Sequence, residues 1–507
     1  MNRVKDEYRK IDDSRHSHIC FKYDKRGSKL QETEYIDKEE TRYIRRNYAY
    51  DFAGRVVEEE GFMQDQPDIR RGYYASRYSY DLEGNLLKKE VLNGLDYLLT
   101  DYSYDHRNRM TKKVEPYKED GSRKTTAYAY DKRGLMTKET LIKQGVACTE
   151  TSEYDGMGNI IRLTDEMGNT SRFDYDGEKN RIRETDPRYY TAGDTAPCIE
   201  TEYDALNRPV RSIAKNGDMS FVISYREYDG RGNIVKHVDG EGYNGGDPAA
   251  STGETYEYDV MDRVTGYISA ETAKYNFENA DNKHTKKYTY DGAGNVLTEE
   301  DAYGNIIQNR YYLNGLLKEK VHPDGIKETY SYDLTGKVEL VFTDRAGNVT
   351  KKYMNVFGSP YRQEYPDGTW ETSDYNNLGK VIETTDRRGN SKYFEYDEAQ
   401  NVTAIREYTG TADQYALYRE VRSSYDEAGN MLSRETFAYK EPLAAGYGGG
   451  YESAGDRTAY VYDRASRLIK VTGPDGRETI NEYDAEGNLS LTEMKTDEGK
   501  YDVKRYS

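Results

Sequence analysis

The sequence predicts an all-β protein made of tandem β-hairpins, and two observations lead to that fold class. A Tyr-Asp dipeptide recurs along nearly the whole chain, and a second, weaker turn motif lies between successive copies. From residue 333 to residue 401, successive turns begin 10 or 11 residues apart, which is the length of one strand plus one turn. Helical spacing is not sustained anywhere, because turn residues this frequent would break a helix repeatedly.

Each Tyr-Asp copy is interpreted as the end of one strand followed by a tight turn. The fourth residue after the Tyr tolerates a left-handed backbone, since it is Gly in most copies and Asn108, Asn207 or Asp262 in others. The Asp carboxylate can bond nearby backbone N–H groups, so Tyr-Asp-x-x-Gly-Asn is predicted to be a type I turn that closes a bulged hairpin. The predicted structural turn positions are Asp81, Gly84, Asn85, Asp155, Gly158, Asn159, Asp229, Gly232, Asn233, Asp291, Gly294, Asn295, Asp426, Gly429, Asn430, Asp484, Gly487 and Asn488. The repeat tyrosines are Tyr80, Tyr154, Tyr228, Tyr290, Tyr332, Tyr396, Tyr425, Tyr462 and Tyr483.

Tyrosine is the main apolar material of the predicted sheet. The chain has 53 Tyr but only 10 Phe and 1 Trp among 507 residues, so any core is expected to be built from phenol rings. Some tens of strands, each about 20 Å long and ~4.8 Å from its neighbour, would form a sheet too wide to stay flat. Strand twist is therefore expected to wind it into a spiral, barrel or solenoid with one Tyr-rich and one charged face.

These repeats carry a resemblance to a known family. The full Tyr-Asp-x-x-Gly-Asn copies lie at 80–85, 154–159, 228–233, 290–295, 425–430 and 483–488. With them, the chain resembles the Rhs/YD-repeat family over roughly residues 20–505. That family includes bacterial Rhs and wall-associated polymorphic toxins, shell components of insecticidal toxin complexes, and teneurins. The resemblance implies a spiral of β-hairpins that forms a hollow shell, in bacteria a container for a C-terminal toxic domain.

Two features depart from that family's pattern. Members with a cargo carry a core segment around Asp-Pro-x-Gly that seals the shell and releases the toxin by autoproteolysis, whereas residues 501–507 are still repeat-like. The Asp186-Pro187 and Asp247-Pro248 pairs lack the following Gly and are interpreted as ordinary loop residues. No cleavage aspartate is therefore assigned. The spiral is expected to end in an unpaired edge strand, which favours self-association or pairing with the adjacent sequence of a parent protein.

A single repeat architecture is predicted over residues 20–507, after a polar, exposed N-terminal segment at 1–19. The repeat interval expands at several places, which are expected to be inserted surface loops that carry binding specificity. These loops lie near 59–75, 186–200, 240–255, 269–287, 408–420 and 437–458. The most linker-like stretch is Glu441–Tyr451, which is rich in glycine.

Composition excludes several classes of protein. The 92 acidic and 74 basic side chains give a net charge of −18, and the basic patch that a nucleic-acid partner needs is not evident. Apolar stretches fall far short of the ~20 residues of a membrane helix, and the first residues lack the apolar region of a signal peptide. The three cysteines, Cys20, Cys148 and Cys198, cannot form a dense disulfide framework or a four-cysteine zinc site.

The sequence predicts no catalytic, metal or cofactor site. Motifs of serine hydrolases, phosphate-binding loops and zinc proteases are absent from it. His16 and His18 are close, but a metal site usually needs three or four ligands, so the pair is interpreted as a coincidence. The repeated aspartates are interpreted as turn caps instead of calcium ligands or an acid/base pair. The tyrosines are assigned to cross-strand packing, and a stacking surface for sugars or for an unfolded cargo is a compatible role.

Two functions follow from these observations and stay open. The first is a non-catalytic encapsulation module that resembles the shell of a bacterial Rhs-type toxin-delivery protein and encloses or presents a partner or C-terminal toxin polypeptide. The alternative is a cell-surface adhesin or carbohydrate-binding repeat module. Both imply a secreted or cell-surface protein of bacterial origin, exported as part of a larger chain. An enzyme has no residue support. The expected partners are a protein cargo or a downstream core segment, with cell-surface carbohydrate as the alternative.

Overall fold

The computed structural model describes residues 3–64, 73–116, 123–188, 196–217, 219–244, 251–279, 281–410, 416–444, 455–495 and 501–506. Within these ranges the chain forms 40 β-strands, all in one sheet, and one α-helix, α1, at Ala270–Asn279. The predicted all-β fold of tandem hairpins is confirmed.

The strands of the first half of the chain are β1 Asp6–Lys10, β2 His16–Tyr23, β3 Lys29–Tyr35, β4 Tyr43–Tyr50, β5 Val56–Met63, β6 Tyr73–Tyr80, β7 Leu86–Asn93, β8 Asp96–Tyr104, β9 Met110–Pro116, β10 Arg123–Tyr130, β11 Met136–Lys143, β12 Val146–Tyr154, β13 Ile160–Thr164, β14 Thr170–Tyr175, β15 Arg181–Thr185, β16 Cys198–Tyr203, β17 Pro209–Asn216, β18 Met219–Tyr228, β19 Ile234–Asp239, β20 Glu254–Tyr258 and β21 Val264–Ile268.

After α1, the strands are β22 Lys286–Tyr290, β23 Val296–Asp301, β24 Ile306–Tyr311, β25 Leu317–Val321, β26 Lys327–Tyr332, β27 Glu339–Thr343, β28 Val349–Met354, β29 Pro360–Glu364, β30 Trp370–Tyr375, β31 Val381–Thr385, β32 Ser391–Tyr396, β33 Val402–Thr409, β34 Ala416–Tyr425, β35 Met431–Ala444, β36 Asp456–Tyr462, β37 Leu468–Thr472, β38 Glu478–Tyr483, β39 Leu489–Lys495 and β40 Tyr501–Arg505.

Strands pair antiparallel with their neighbours in the chain, and the register shifts where a strand ends in the repeat tyrosine. Between β18 and β19, Glu227 lies opposite Lys236 but Tyr228 lies opposite Ile234, so one residue is left unpaired. The same shift occurs at Tyr80, Tyr154, Tyr290, Tyr396, Tyr425, Tyr462 and Tyr483. A shift of one residue is a β-bulge, which confirms the bulged hairpins predicted from the turn sequence.

The strands group into two compact units, although the composition of the chain suggests no boundary. Unit 1 consists of Met1–Thr149, Tyr330–Tyr483 and Leu489–Ser507. Its buried cluster is made of Ile36, Ile44, Met63 and Val338, which come from distant parts of the chain. Beside this cluster, Lys337 Nζ donates to both oxygens of Glu34, 303 positions away, at 2.8 Å. Distant hairpins of unit 1 are therefore held together by a small aliphatic core and an ion pair.

Unit 2 consists of Glu150–Thr329 and Asp484–Asn488. Val238, Phe173 and Cys198 are buried in it. The helix α1 also belongs to this unit, and none of its residues is buried. The helix lies in the interval 269–287, where an irregular loop is expected from the sequence.

The expected core of phenol rings is wrong. The buried apolar side chains of the described residues are mostly aliphatic, and Tyr375 is the one tyrosine among them. Most other tyrosines are half-buried, because a phenol packed flat on a sheet keeps its hydroxyl near polar groups. Tyrosine therefore covers the sheet, while the few aliphatic residues fill its deepest positions.

Two further expectations need correction. The segment 1–19 is not an exposed tail, because β1 pairs with β2 and the side chains of Ile11 and Ser17 are buried. Several predicted loops are partly strand, since β5 continues to Met63 and β35 continues to Ala444, which includes the first part of Glu441–Tyr451. The rest of that glycine-rich stretch, and the Asp247-Pro248 pair, lie outside the described residues.

Candidate functional site: the Tyr-Asp turns

The Tyr-Asp turns are the most regular polar structure in the molecule. In the turn after β6, the N–H of Asp81 donates to the carbonyl of Asn85 at 3.0 Å, and that of Gly84 donates to the carbonyl of Asp81 at 3.3 Å. The Asp81 carboxylate accepts the Asn85 N–H at 2.7 Å and its side-chain amide at 2.8 Å. The Asp-to-Asn pair repeats at Asp155 and Asn159, Asp229 and Asn233, Asp291 and Asn295, Asp426 and Asn430, and Asp484 and Asn488.

The backbone of the fourth turn residue is left-handed, as predicted. The φ angles are 99° at Gly84, 88° at Gly158, 101° at Gly232, 95° at Gly294, 86° at Gly429 and 89° at Gly487. Asn108, Asn207 and Asp262 have φ of 60°, 61° and 61° in the same position. Lys179, Gln400 and Ser466 adopt this conformation too, with φ of 71°, 66° and 62°. Sequence reasoning misses these three because their side chains do not favour it, and the surrounding hairpin imposes it.

The repeat tyrosines have a polar role that sequence reasoning also misses. All nine are the last residue of a strand. The hydroxyl of Tyr228 donates to the carbonyl of Pro209, the first residue of β17, at 2.8 Å. The same bond to the preceding hairpin is made by Tyr290 to Val264, Tyr396 to Val381, Tyr425 to Val402 and Tyr483 to Leu468. The bond requires the pairing of two consecutive hairpins, which no local motif reveals.

An arginine in some copies ties each turn to the next one. Arg208 follows the left-handed Asn207, and its guanidinium donates to its own turn carboxylate, Asp204, at 2.7 Å. It also donates to the carbonyl of Asp229 at 3.0 Å and lies over the ring of Tyr228, 4.5 Å from its centre. The equivalent arginine-over-tyrosine pairs are Arg55 and Tyr80, Arg109 and Tyr130, Arg263 and Tyr290, and Arg467 and Tyr483. The signal in the sequence is Arg in place of the usual Asn.

Copies that keep the Asn make a different link. The side-chain amide of Asn85 donates to Asn108 Oδ1 at 2.9 Å, and that of Asn233 donates to Asp262 Oδ1 at 2.7 Å. Asn430 donates to Ser466 Oγ at 3.0 Å in the same way. A left-handed residue with an oxygen-bearing side chain thus accepts a bond from the preceding turn. The polar residue at the fourth position is therefore explained by the link as well as by the backbone conformation.

Three turn carboxylates, those of Asp105, Asp155 and Asp291, are held in their ionised form. The hydrogen bond from Arg109 lowers the pKa of Asp105 to about 2. The backbone N–H of Asn159 lowers the pKa of Asp155, and the side-chain amide of Asn295 lowers that of Asp291. Each of these three carboxylates is engaged by groups of its own turn. This arrangement supports a structural role and offers no acid/base pair.

The histidine pair lies in a strand of unit 1. The His18 ring stacks between Tyr8 and Tyr35, at 4.3 and 5.0 Å between ring centres. Its nitrogens face Glu40 Oε1 at 2.7 Å and Asp6 Oδ1 at 3.2 Å. Across the part of the chain that the structure describes, no group of three or more His, Cys, Asp or Glu side chains is placed to hold a metal ion. Within the same residues, no helix is long and apolar enough to cross a bilayer.

One carboxylate cluster of unit 2 joins the repeat turn at Asp484–Asn488 to Asp186 and Arg188, which lie outside the repeat motif. Arg188 Nη2 lies 2.5 Å from Asp186 and 2.9 Å from Glu486, and its Nη1 lies 3.2 Å from Asp484. Burial, together with a hydrogen bond to Asp186, raises the pKa of Glu486, so this carboxyl keeps its proton more readily than an ordinary Glu. Asp186, expected to be an ordinary loop residue, therefore helps to join the segments 150–329 and 484–488 of unit 2.

The repeats of this chain match a known family and a curated protein. The profile of the RHS repeat family matches residues 154–191 and 462–500. A curated relative, double-stranded DNA deaminase toxin A of Burkholderia cenocepacia (strain H111), is 26% identical over 194 residues, which is 37% of this chain and 11% of that protein. The resemblance to the Rhs/YD-repeat family is confirmed.

Several solved structures share the fold. A crystal structure of TcdB2-TccC3-TEV aligns with 97% of this chain, and the alignment covers 26% of the chain in that structure. The TM-score is 0.62 and the sequence identity is 14%. One of TcdB2-TccC3 without the hypervariable C-terminal region matches 99% and 30%, with a TM-score of 0.56 and 15% identity. The Tc holotoxin pore of Photorhabdus luminescens gives the same coverage and TM-score at 14% identity. The chain thus spans less than a third of each of these structures and about a tenth of the curated relative.

Proposed function

We propose that this chain of RHS repeats is a non-catalytic structural module of a toxin-delivery protein, which encloses or presents a partner polypeptide. The observation that supports this most is the fold shared with TcdB2-TccC3 over 97% of the chain. The toxin named among its relatives supports the same assignment. As part of such a protein, the module would be exported from a bacterium.

The contacts between repeats are those expected of a shell wall that is stabilised mainly by links between neighbouring hairpins. Each link, whether Arg208 over Tyr228 or Asn233 to Asp262, joins one hairpin to the next through side chains as well as through the sheet. In repeat proteins, stability is close to a sum of such neighbour interactions. A wall stabilised in this way does not need a thick apolar interior, so its surfaces can stay polar towards an unfolded partner.

The polar chemistry of the repeats supports a module without catalysis of its own. The turn aspartates accept bonds from their own turns, and the repeat tyrosines donate to backbone carbonyls. General acid/base catalysis needs groups free to exchange a proton with a substrate. The regular polar residues are instead committed to holding the sheet.

Co-expression tests this proposal. The 507-residue chain would be produced together with the polypeptide adjacent to it in its parent protein, and only one of the two would carry an affinity tag. We expect the untagged polypeptide to be retained in stoichiometric amount at moderate salt. An unrelated polypeptide of similar length and charge serves as the control. Retention of neither polypeptide, or equal retention of both, would contradict a specific enclosing or presenting role.

A cavity in unit 1 favours carbohydrate binding as a second candidate. It has a volume of about 760 Å³ and is lined by Phe394, Tyr396 and Tyr425 together with Asn93 and Asp397. Aromatic faces beside amide and carboxylate groups are the usual surroundings of a bound sugar. Binding to a glycan array that is lost in a Phe394→Ala variant would support the adhesin, and an array without binding would remove this candidate.

A further inference from the structure

Unit 2 carries an unusual group of exposed apolar side chains on neighbouring strands. They are Ile182 on β15, Ile199 on β16, and Met219, Phe221 and Ile223 on β18. Phe221 is 57% exposed and Met219 is 61% exposed, in a chain whose mean hydropathy is −1.05. Highly exposed apolar side chains elsewhere, such as Leu82 and Leu95, stand singly at the tips of turns. Single exposed apolar residues are ordinary, whereas a contiguous group marks an interaction surface.

The strand register places this group on one face. Ile199 lies opposite Glu184 on β15 and opposite Ala214 on β17, and Ala214 lies opposite Phe221 on β18. Directly opposed residues of an antiparallel pair point to the same side of the sheet. Ile182 and Met219 are two residues from Glu184 and Phe221, so they share that side.

This face contains two adjoining cavities, both lined by Glu184 and Ile199. We call them together the β15–β18 trough. The first has a volume of about 420 Å³ and is lined by Asp165, Asp186 and Glu486, of which the last two contact Arg188, and by Lys215, so that carboxyl groups outnumber cationic groups there. The second has a volume of about 360 Å³ and includes Arg181, Arg183 and Arg226 with Ile223. The trough is therefore acidic at one end, apolar in the middle and basic at the other end.

The charges at the two ends determine which occupant fits. Guanidinium groups pair with carboxylates, and a group of carboxylates attracts a cationic side chain. An apolar side chain over Ile199 and Phe221 would leave water. A purely apolar ligand would satisfy only the middle of the trough, and a nucleic acid would meet the acidic end unfavourably. An extended peptide carries both charges and apolar side chains along one chain.

We propose that the β15–β18 trough binds an extended segment of the partner polypeptide in which apolar side chains lie between a cationic residue and carboxylates. This inference rests on the proposed function and adds the kind of sequence that is held and the place that holds it. The trough would contact only a short segment of the partner polypeptide. A long unfolded chain could therefore be bound without having to fold.

A fluorescent peptide tests the inference directly. The probe has two leucines between a lysine and a pair of glutamates, and its binding to the full 507-residue chain is followed by fluorescence anisotropy. We expect saturable binding that becomes at least about tenfold weaker when the leucines are replaced by serines. A comparable loss is expected when the order of the charges is reversed.

Substitutions in and beside the trough test whether the peptide probe binds there. Phe221→Ser and Arg226→Glu should each weaken binding of the probe at least about tenfold, since Arg226 lines the second cavity and the exposed Phe221 lies beside the trough, opposite Ala214 of the first cavity. Leu297→Ser is the matched control, because Leu297 is an exposed apolar residue on β23 of the same unit. Equal binding by Phe221→Ser and the unaltered protein, or no saturable binding, would overturn the inference. A dimer that dissociates in the Phe221→Ser variant would assign the trough to a second copy of the chain and would equally overturn it.

The co-expression experiment separates this inference from the proposed function. If the adjacent polypeptide is retained equally by the unaltered protein and by Phe221→Ser, the enclosing role stands and the trough is not its binding site. If neither protein retains it, the proposed function itself fails.

Discussion

The guanidinium of Arg263 lies over the ring of Tyr290, 4.6 Å from its centre, and the hydroxyl of that tyrosine donates to the carbonyl of Val264 at 2.6 Å. Arg263 also donates to the carbonyl of Asp291 at 2.8 Å. Two residues of consecutive hairpins thus hold each other through a cation–π contact and two hydrogen bonds to backbone. The same arrangement recurs in unit 1, between Arg109 and Tyr130.

Removing the arginine should weaken the hairpins on both sides of it. We expect Arg208→Met to lower the free energy of unfolding by about 1–2 kcal/mol, since a cation–π contact and charge-assisted hydrogen bonds are lost. Arg208→Lys should recover little, because an ammonium group cannot bond Asp204 and the Asp229 carbonyl in the same fork geometry. Urea unfolding checks both variants, with the exposed Lys504→Met as the control. Full recovery by lysine would contradict the assigned geometry.

Two glycines of one turn provide a matched pair. Gly232 has φ of 101°, and a Cβ at this position would lie 3.9 Å from its nearest neighbour, Arg208 Nη1, so the cost of a side chain is backbone strain. Gly230, two residues earlier, has open space and no positive φ. We expect Gly232→Val to destabilise by about 1–3 kcal/mol and Gly230→Ala to stay within about 0.5 kcal/mol. Equal thermal midpoints for the two variants would be inconsistent with the left-handed turn.

The hydroxyl of a repeat tyrosine can be removed without changing the ring. Tyr228→Phe loses the bond to the carbonyl of Pro209 and leaves that acceptor to be satisfied otherwise, so we expect a loss of about 1 kcal/mol. Tyr303→Phe is the control, because Tyr303 stands 92% exposed at a turn tip. The measurement is the shift in urea midpoint of each variant. No difference between them would mean that tyrosine contributes only its ring.

Stability should fall in acid because Asp105, Asp155 and Asp291 have depressed pKa values. A carboxyl with a lower pKa in the folded state stabilises the fold fully above its unfolded pKa of about 3.9 and loses that contribution as pH falls through the folded pKa. For Asp105 the folded pKa is about 2, held down first by Arg109, so the loss is expected between about pH 4 and pH 2. Thermal midpoints measured from pH 7 to pH 2 check this.

Asp105→Asn supplies the control for the acid dependence. The amide keeps the size of the side chain but cannot titrate, so its stability should fall less between about pH 4 and pH 2 than that of the unaltered protein. Parallel pH curves for the two proteins would show that Asp105 does not contribute to the acid loss.

The turns could be predicted from sequence because their chemistry is local. Gly84 and Asp81 lie three positions apart, and only a few residue types tolerate the backbone that this spacing requires. The links between turns could not be predicted, because Arg208 and Tyr228 meet only after two hairpins pair. The buried contact of Ile36 with Val338 is more remote still, since it depends on how distant hairpins of unit 1 pack.

The remaining differences have physical causes as well. Ser466 adopts a left-handed backbone because the hairpin around it imposes one and because its hydroxyl receives the Asn430 amide. The helix α1 buries none of its residues, so it leaves no strong apolar periodicity in the sequence. The cluster of Arg188 with Glu486 joins residues far apart in the chain, so their contact cannot be predicted from the local sequence of either one, although Glu486 lies in the repeat turn at 483–488.

Protease protection tests most directly whether the chain encloses or presents a partner polypeptide. The complex with the adjacent polypeptide of the parent protein would be treated with a protease of broad specificity, and the partner followed by mass spectrometry, beside the partner alone. We predict that most of the partner survives in the complex under conditions that digest it completely alone. Digestion at the same rate with and without the 507-residue chain would contradict the enclosing role.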